Sequence, residues 1–192
     1  MLALGTLSAF AQTTRKQTSV LPELRAMVRA DQAQRQGLDE DPAKSIKADE
    51  VRRHRVLALL AQGQLQTAEA KECAALILQH TPGYRMSEGS LQEANAEFYL
   101  LAHLLAKSAA EAGRRSARWL AAAALDRYLV GVGKPQKYGT QWNIDLKTGK
   151  KTVPPVDPAT TDVERAAWDV EPLKRFLANV EAAEPPPLAK QP

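Results

Sequence analysis

Cysteine occurs once in the 192 residues, histidine three times, and aromatic side chains make up only 5% of the chain. A lone thiol, Cys73, cannot close an internal disulfide, so the fold must be held by packing and polar contacts. Three scattered histidines and one cysteine offer no zinc-ligand spacing, and no metal is expected. No P-loop, dinucleotide fingerprint or Gly-x-Ser-x-Gly elbow is present, so no cofactor is expected either. No apolar run reaches the about 20 residues that a membrane span requires. The shortage of aromatic residues also argues against a large sheet.

What the chain has is alanine, leucine and balanced charge. Hydrophobic residues make up 44% and charged residues 25%, ordinary figures for a globular domain with a core of its own. Ala and Leu favour helices packed closely through small side chains. The net charge is +4, from 26 basic and 22 acidic residues. The densest basic clusters, Arg52-Arg53-His54-Arg55 and Arg114-Arg115-Ser116-Ala117-Arg118, fall on predicted helices. They lack the aromatic or amide readers of a nucleic-acid face, so they are taken as solvated helix faces and no nucleic-acid partner is expected.

The N-terminus carries an export pattern. Leu2-Ala3-Leu4-Gly5-Thr6-Leu7 is apolar and runs into Ala9-Phe10-Ala11, the small-x-small pattern of a signal peptidase site, although a basic n-region is missing. Residues 1–11 are expected to be a signal peptide and 12–20 a flexible leader. No lipobox cysteine follows, so an exported protein without a lipid anchor is expected.

Residues 21–182 form one predicted helical domain. Pro22 and Gly37 bracket a helix over 21–36, and Asp41-Pro42 starts another that runs to Ala61 before Gly63. A third spans Thr67 to His80, with Pro82-Gly83 after it. Leu91, Ala94, Phe98, Leu101, Leu105 and Ala112 recur at three- and four-residue steps, predicting a helix over 88–112. A fifth, over 114–130, is apolar nearly all round and belongs at the centre of a bundle. Two extended runs about Lys147-Thr148-Gly149-Lys150 predict one β-hairpin within 138–153. Thr161 and Glu164 form a capping box for a short helix, and Glu171-Pro172 opens a last one. The expected fold is a mainly α, single bundle of five to seven helices in antiparallel pairs. A Pro-rich tail, 183–192, is expected to be disordered.

The chemistry-bearing residues are few. Asp126 and Arg127 interrupt the apolar fifth helix, where unpaired charge would cost several kcal/mol. Being adjacent, they point about 100° apart and need separate partners. Asp31 and Arg35, four apart on the first helix, are suited to supply them, as Asp31 with Arg127 and Arg35 with Asp126. Such a network could be a buried staple or a ligand-binding cluster. Gln136, Tyr138, Thr140 and Gln141 surround Gly139 in a strand-like stretch and offer donors and acceptors with little acid–base power, suited to a polar ligand or to helix capping. His80, closing the third helix, is a candidate general base or a helix C-cap. His103 borders an apolar stripe and Cys73 sits among apolar neighbours, so both are taken as structural.

Several of these segments occur together in order: Ala75-Leu76-Ile77-Leu78-Gln79-His80, Tyr99-Leu100-Leu101-Ala102-His103, Trp119-Leu120-Ala121-Ala122-Ala123, Leu125-Asp126-Arg127-Tyr128-Leu129, and Gly133-Lys134-Pro135-Gln136 with Tyr138-Gly139-Thr140-Gln141. The chain thereby resembles a family of uncharacterised bacterial proteins, a domain of unknown function marked by a Gln-His segment, an Asp-Arg helix and a Gln-x-Tyr-Gly-Thr-Gln motif. The resemblance covers roughly Asp31 to Leu177 and implies that Asp31, Arg35, His80, Asp126, Arg127, Gln136 and Gln141 meet in space. Asp157 and Arg165 also stand where the family places such residues. The chain departs from the pattern after Gln79-His80, where Thr81-Pro82 replaces an expected acidic residue. The resemblance implies no activity.

Two functions follow from these residues. One is a non-catalytic exported protein that holds a small polar ligand or a protein partner at the polar cluster or in a helical groove. The other is a hydrolase or transferase with His80 as base, Asp126 as orienting acid and the Gln136 and Gln141 amides stabilising an oxyanion.

Overall fold

The computed structural model describes residues 19–36, 42–80, 84–87, 90–93, 96–145 and 148–183. The expected signal peptide, leader residues 12–18 and tail residues 184–192 lie outside the described residues. Seven helices are present among the described residues: α1 Leu21–Gln36, α2 Pro42–Ala61, α3 Ala68–His80, α4 Glu97–Glu111, α5 Ala117–Gly131, α6 Asp162–Ala167 and α7 Leu173–Ala182. Four short strands, β1 Tyr84–Ser87, β2 Ser90–Glu93, β3 Asn143–Ile144 and β4 Lys151–Thr152, make two separate antiparallel pairs. The mainly α bundle is as expected, and β3–β4 falls inside the expected hairpin.

The β1–β2 pair corrects the expected start of the fourth helix. Strand register pairs Tyr84 with Glu93 and Ser87 with Ser90, and α4 begins only at Glu97. Leu91 and Ala94 fit the phase of the helical stripe, which is why periodicity ran on through them.

Local chemistry explains the other ends. The Thr67 hydroxyl accepts from the Ala70 N–H at 3.1 Å and so caps α3. Thr161 and Glu164 close a full capping box on α6. The Asp162 carboxylate then accepts from the Leu173 N–H at 2.9 Å, tying the start of α7 to α6.

The core runs through α1 to α5. Leu24, Val56, Leu59, Ile77 and Leu78 are fully buried, each stabilising the fold by about 1.5–3 kcal/mol relative to exposure. Between them lie buried alanines, including Ala74, Ala75, Ala102, Ala106, Ala109, Ala121 and Ala124. These small side chains let α3, α4 and α5 approach closely, and an ideal Cβ on Gly131 would lie 3.0 Å from the Ala96 Cβ where α5 ends beside the start of α4. Helix α5 is not buried all round, because Trp119 is 47% exposed. Cys73 is only half-buried, at the edge of the core and not within it.

Ion pairs give the helix directions. Arg25 on α1 pairs with Glu69 near the start of α3, and His80 at the end of α3 meets Asp31 further along α1, so these two helices run parallel. Arg55 pairs with Glu23, and Arg35 with Asp49, so α2 runs antiparallel to α1. The later half of α1, the earlier half of α2 and the end of α3 therefore meet at one end of the bundle. Arg53 over the Phe98 ring, at 5.3 Å, brings the start of α4 to the same end.

Candidate functional site

The residues expected to form one cluster form two. Around Asp126, the last turns of α5 meet the loop that follows. Asp126 is fully buried, and its carboxylate accepts four hydrogen bonds. Oδ1 receives the Lys137 and Tyr138 N–H groups at 2.7 and 2.9 Å, while Oδ2 receives the Thr140 N–H at 2.9 Å and the Thr140 hydroxyl at 2.8 Å. Burial pushes the Asp126 carboxyl up from its ordinary value, and these donors pull against that shift.

Gln136 completes the lock. Its side chain is fully buried, donating to the Gln141 and Pro154 carbonyls at 3.0 Å each and accepting from the Gln141 N–H at 2.7 Å. Its backbone forms a parallel bridge to Val156 through bonds of 2.8 Å to the Pro155 carbonyl and the Asp157 N–H. Gln141 in turn donates its side-chain amide to the Thr140 hydroxyl at 2.8 Å. Tyr138 packs its ring against Trp168, centroids 6.3 Å apart, and burial pushes its phenol up.

Gly139 has φ +66°, and an ideal Cβ there would lie 2.9 Å from Val156 Cγ2 and 3.1 Å from Arg165 Nη1. Glycine is therefore required twice over, by conformation and by space. Arg165 lies beneath the loop at 1% exposure, with its Nε donating to the Glu171 carbonyl at 2.8 Å. Its two terminal nitrogens have no hydrogen-bond partner, and burial lowers its pKa from the ordinary arginine value. The Gln-x-Tyr-Gly-Thr-Gln segment is thus a loop clamped to α5 through Asp126.

The second cluster holds Asp31, Arg35 and His80, together with Gln34, Asp49 and Arg52. His80 Nδ1 lies 2.7 Å from Asp31 Oδ2, and Asp31 is fully buried while the His80 side chain is 17% exposed. Arg35 Nη1 approaches Asp31 Oδ1 at 3.3 Å, and Arg52 Nε lies 4.0 Å from the same oxygen. Arg35 also reaches Asp49 at 3.2 Å and caps α3 by donating to the His80 carbonyl at 2.6 Å. Arg52 donates to Asp49 and, at 2.6 Å, to the Gln34 side-chain oxygen. Two carboxylates, two guanidinium groups and one imidazole are packed together, which offsets the several kcal/mol that Asp31 would cost if buried alone.

Neither expected pairing forms. Asp126 is filled by backbone donors, not by Arg35, and Asp31 takes His80 and Arg35, not Arg127. Arg127 instead lies over the Tyr99 ring, its guanidinium carbon 6.0 Å from the centroid. No hydrogen bond or ion pair among the described residues joins the two clusters, and His80 is oriented by Asp31 in place of Asp126. The expected reading of Arg52 as part of a solvated face is also corrected, since it is 9% exposed and turned inward. Asp49 and Gln34 do not stand out in the sequence, and Arg52 stands there only within the Arg52–Arg55 basic cluster. The available signal was the i,i+3 spacing of Asp49 and Arg52 on a helix whose other face is apolar.

Six buried side-chain atoms among the described residues have no hydrogen-bond partner: Asp31 Oδ1 and Arg52 Nε, which face each other at 4.0 Å, Gln79 Oε1, Arg127 Nε and the two terminal nitrogens of Arg165. His103 stays outside both clusters, Nδ1 2.8 Å from the Ala121 carbonyl, with burial lowering its pKa. No group of three or more potential metal ligands occurs among the described residues, and no described helix is long and apolar enough to cross a membrane. No curated protein and no solved structure matches the chain. The model of a family of unknown function, DUF6624, matches residues 18–185, nearly the whole chain and both polar clusters, and the chain belongs to that family.

Proposed function

We propose that this chain is a binding protein whose site for a small polar ligand lies around His80 and Asp31, at the end of the bundle where α1, α2 and α3 meet. The observation that carries this reading is the His80–Asp31 contact. A carboxylate at Nδ1 fixes the orientation of the ring and leaves Nε2 as the nitrogen that can meet a ligand. His80 keeps part of its surface exposed while Asp31 has none, which is the arrangement of an oriented imidazole and its buried support. The Gln79 side-chain oxygen, buried without a hydrogen-bond partner in the residue before His80, is a further group that a polar ligand could satisfy. The Asp126 and Gln136 side chains are less suited to a ligand, because their hydrogen bonds are already spent on the loop.

The test is a thermal-shift survey of carboxylates, phosphates and amino acids on the wild type and on His80→Ala. A ligand that raises the wild-type midpoint and leaves the variant unmoved supports the reading. Ligands that stabilise both proteins equally would place the site elsewhere.

A second reading, hydrolase or transferase, draws on the same pair, with His80 as general base and Asp31 in the orienting role first assigned to Asp126. The Gln136 amide does not serve as an oxyanion donor, since both of its N–H groups are given to the Gln141 and Pro154 carbonyls, and the Gln141 amide gives one of its two to Thr140. Turnover of p-nitrophenyl esters or phosphates that disappears in His80→Ala would favour this reading over binding. Export is proposed from residues 1–11 alone, and the N-terminal sequence of the mature protein tests it.

A further inference from the structure

A groove in the other half of the bundle takes no part in either polar cluster. Helices α1, α3 and the beginning of α5 bound a cavity of about 480 Å³, the size of a small-molecule site. Its apolar lining includes Val28, Leu76 and the partly exposed indole of Trp119, with the Cys73 thiol between them. Its charged rim is unevenly neutralised. Arg25 is paired with Glu69 at 2.6 Å and Arg114 with Glu72. Arg29, exposed on the same wall, makes no ion pair or hydrogen bond among the described residues. Three guanidinium groups thus face two carboxylates across an apolar lining.

We propose that this groove binds a small amphipathic anion, an alkyl or aryl carboxylate, with its apolar body against Leu76 and Trp119 and its carboxylate on Arg29. The charge pattern selects the anion. A cationic head would meet the one unneutralised guanidinium, and a neutral head would gain nothing from it. The volume restricts the ligand to a single small molecule.

The probes are decanoate, decanol and decyltrimethylammonium, each kept below its micellar concentration. Binding is followed by Trp119 fluorescence, assigned by its loss in Trp119→Phe, and by protection of Cys73 from N-ethylmaleimide. Burial and the nearby Glu69 and Glu72 push the Cys73 thiol up, so the thiolate that reacts is scarcer than in a free cysteine. Decanoate should change the Trp119 signal, slow alkylation and bind at least fivefold tighter than decanol, with the ammonium weakest. Arg29→Gln, a change at an exposed side chain that leaves the core intact, should weaken decanoate about fivefold and leave decanol unchanged. Equal binding of the three probes, no protection of Cys73, or no effect of Arg29→Gln would each overturn the proposal.

Discussion

Replacing Asp126 with asparagine tests the clamp between α5 and the loop over 136–141. The carboxylate receives two N–H donors on Oδ1, and an N–H and a hydroxyl on Oδ2. Asparagine keeps one oxygen and replaces the other with an amide NH2. If the oxygen stays toward Lys137 and Tyr138, the NH2 faces the Thr140 N–H, donor against donor. The Thr140 hydroxyl can turn and accept, but the backbone N–H cannot. One buried N–H left unpaired costs about 1–3 kcal/mol. The two surviving bonds lose their charge assistance, about 1 kcal/mol each. Relief of carboxylate desolvation offsets part of this, leaving a net loss of about 3 kcal/mol. For a domain of this size that corresponds to a fall in Tm of about 6–12 °C. Guanidinium denaturation of the two proteins measures the loss, and amide exchange at Lys137, Tyr138 and Thr140 locates it. A variant within about 1 kcal/mol of the wild type, or one whose exchange at those three amides is unchanged, would refute the clamp.

Further outcomes follow from the same geometry. Gly139→Ala should cost about 3 kcal/mol, the sum of the left-handed φ and the contact with Val156. Gly149→Ala, at φ +68° with nothing within 4 Å, should cost only about 1 kcal/mol, and urea midpoints of the pair compare them. Asp31→Ala should lose about 3–5 kcal/mol, because it leaves Arg35 and the buried Arg52 short of a counter-charge, whereas His80→Ala, at a part-exposed ring, should lose under about 2. Burial holds the folded His103 pKa below its ordinary value of 6.5, so the unfolded state binds the proton more readily. Stability from this group is therefore complete above that value and falls as pH drops below it. His103→Gln should flatten that part of the stability–pH curve, and an unchanged curve would show that the ring titrates normally.

A His80–Asp31 contact alone does not distinguish a staple from a site, because both use a buried acid to hold an imidazole. One feature tips the balance toward a site: the His80 ring retains exposure at the end of the bundle, whereas Asp126 and Gln136 are fully buried with their hydrogen bonds closed on the loop. Buried polar atoms without hydrogen-bond partners occur beside both clusters, the Arg165 terminal nitrogens beneath the loop among them, and do not separate the two.

The helices were legible in the sequence wherever a local rule marked them. The α1 and α2 spans followed from Pro22, Asp41-Pro42 and the glycines beyond, and α6 followed from its Thr161–Glu164 capping box, because caps act through bonds within a few residues. The β1–β2 pair was missed because a short hairpin and the first turns of a helix can share one apolar phase. Asp126 could be recognised as a charge needing partners, since cost depends on burial, and burial showed in the apolar run around it. Its choice of partners could not be read. Backbone N–H groups carry no residue identity, so a carboxylate that takes Lys137, Tyr138 and Thr140 through their amides looks the same in sequence as one waiting for an arginine. Likewise, local pattern placed His80 at the end of α3, but only the parallel packing of α1 on α3 brought Asp31 to its ring. The sequence by itself determined which residues could not stand alone in a helical core. The tertiary structure decided which of them met, because distance between helices is set by packing across the bundle and not by spacing along the chain.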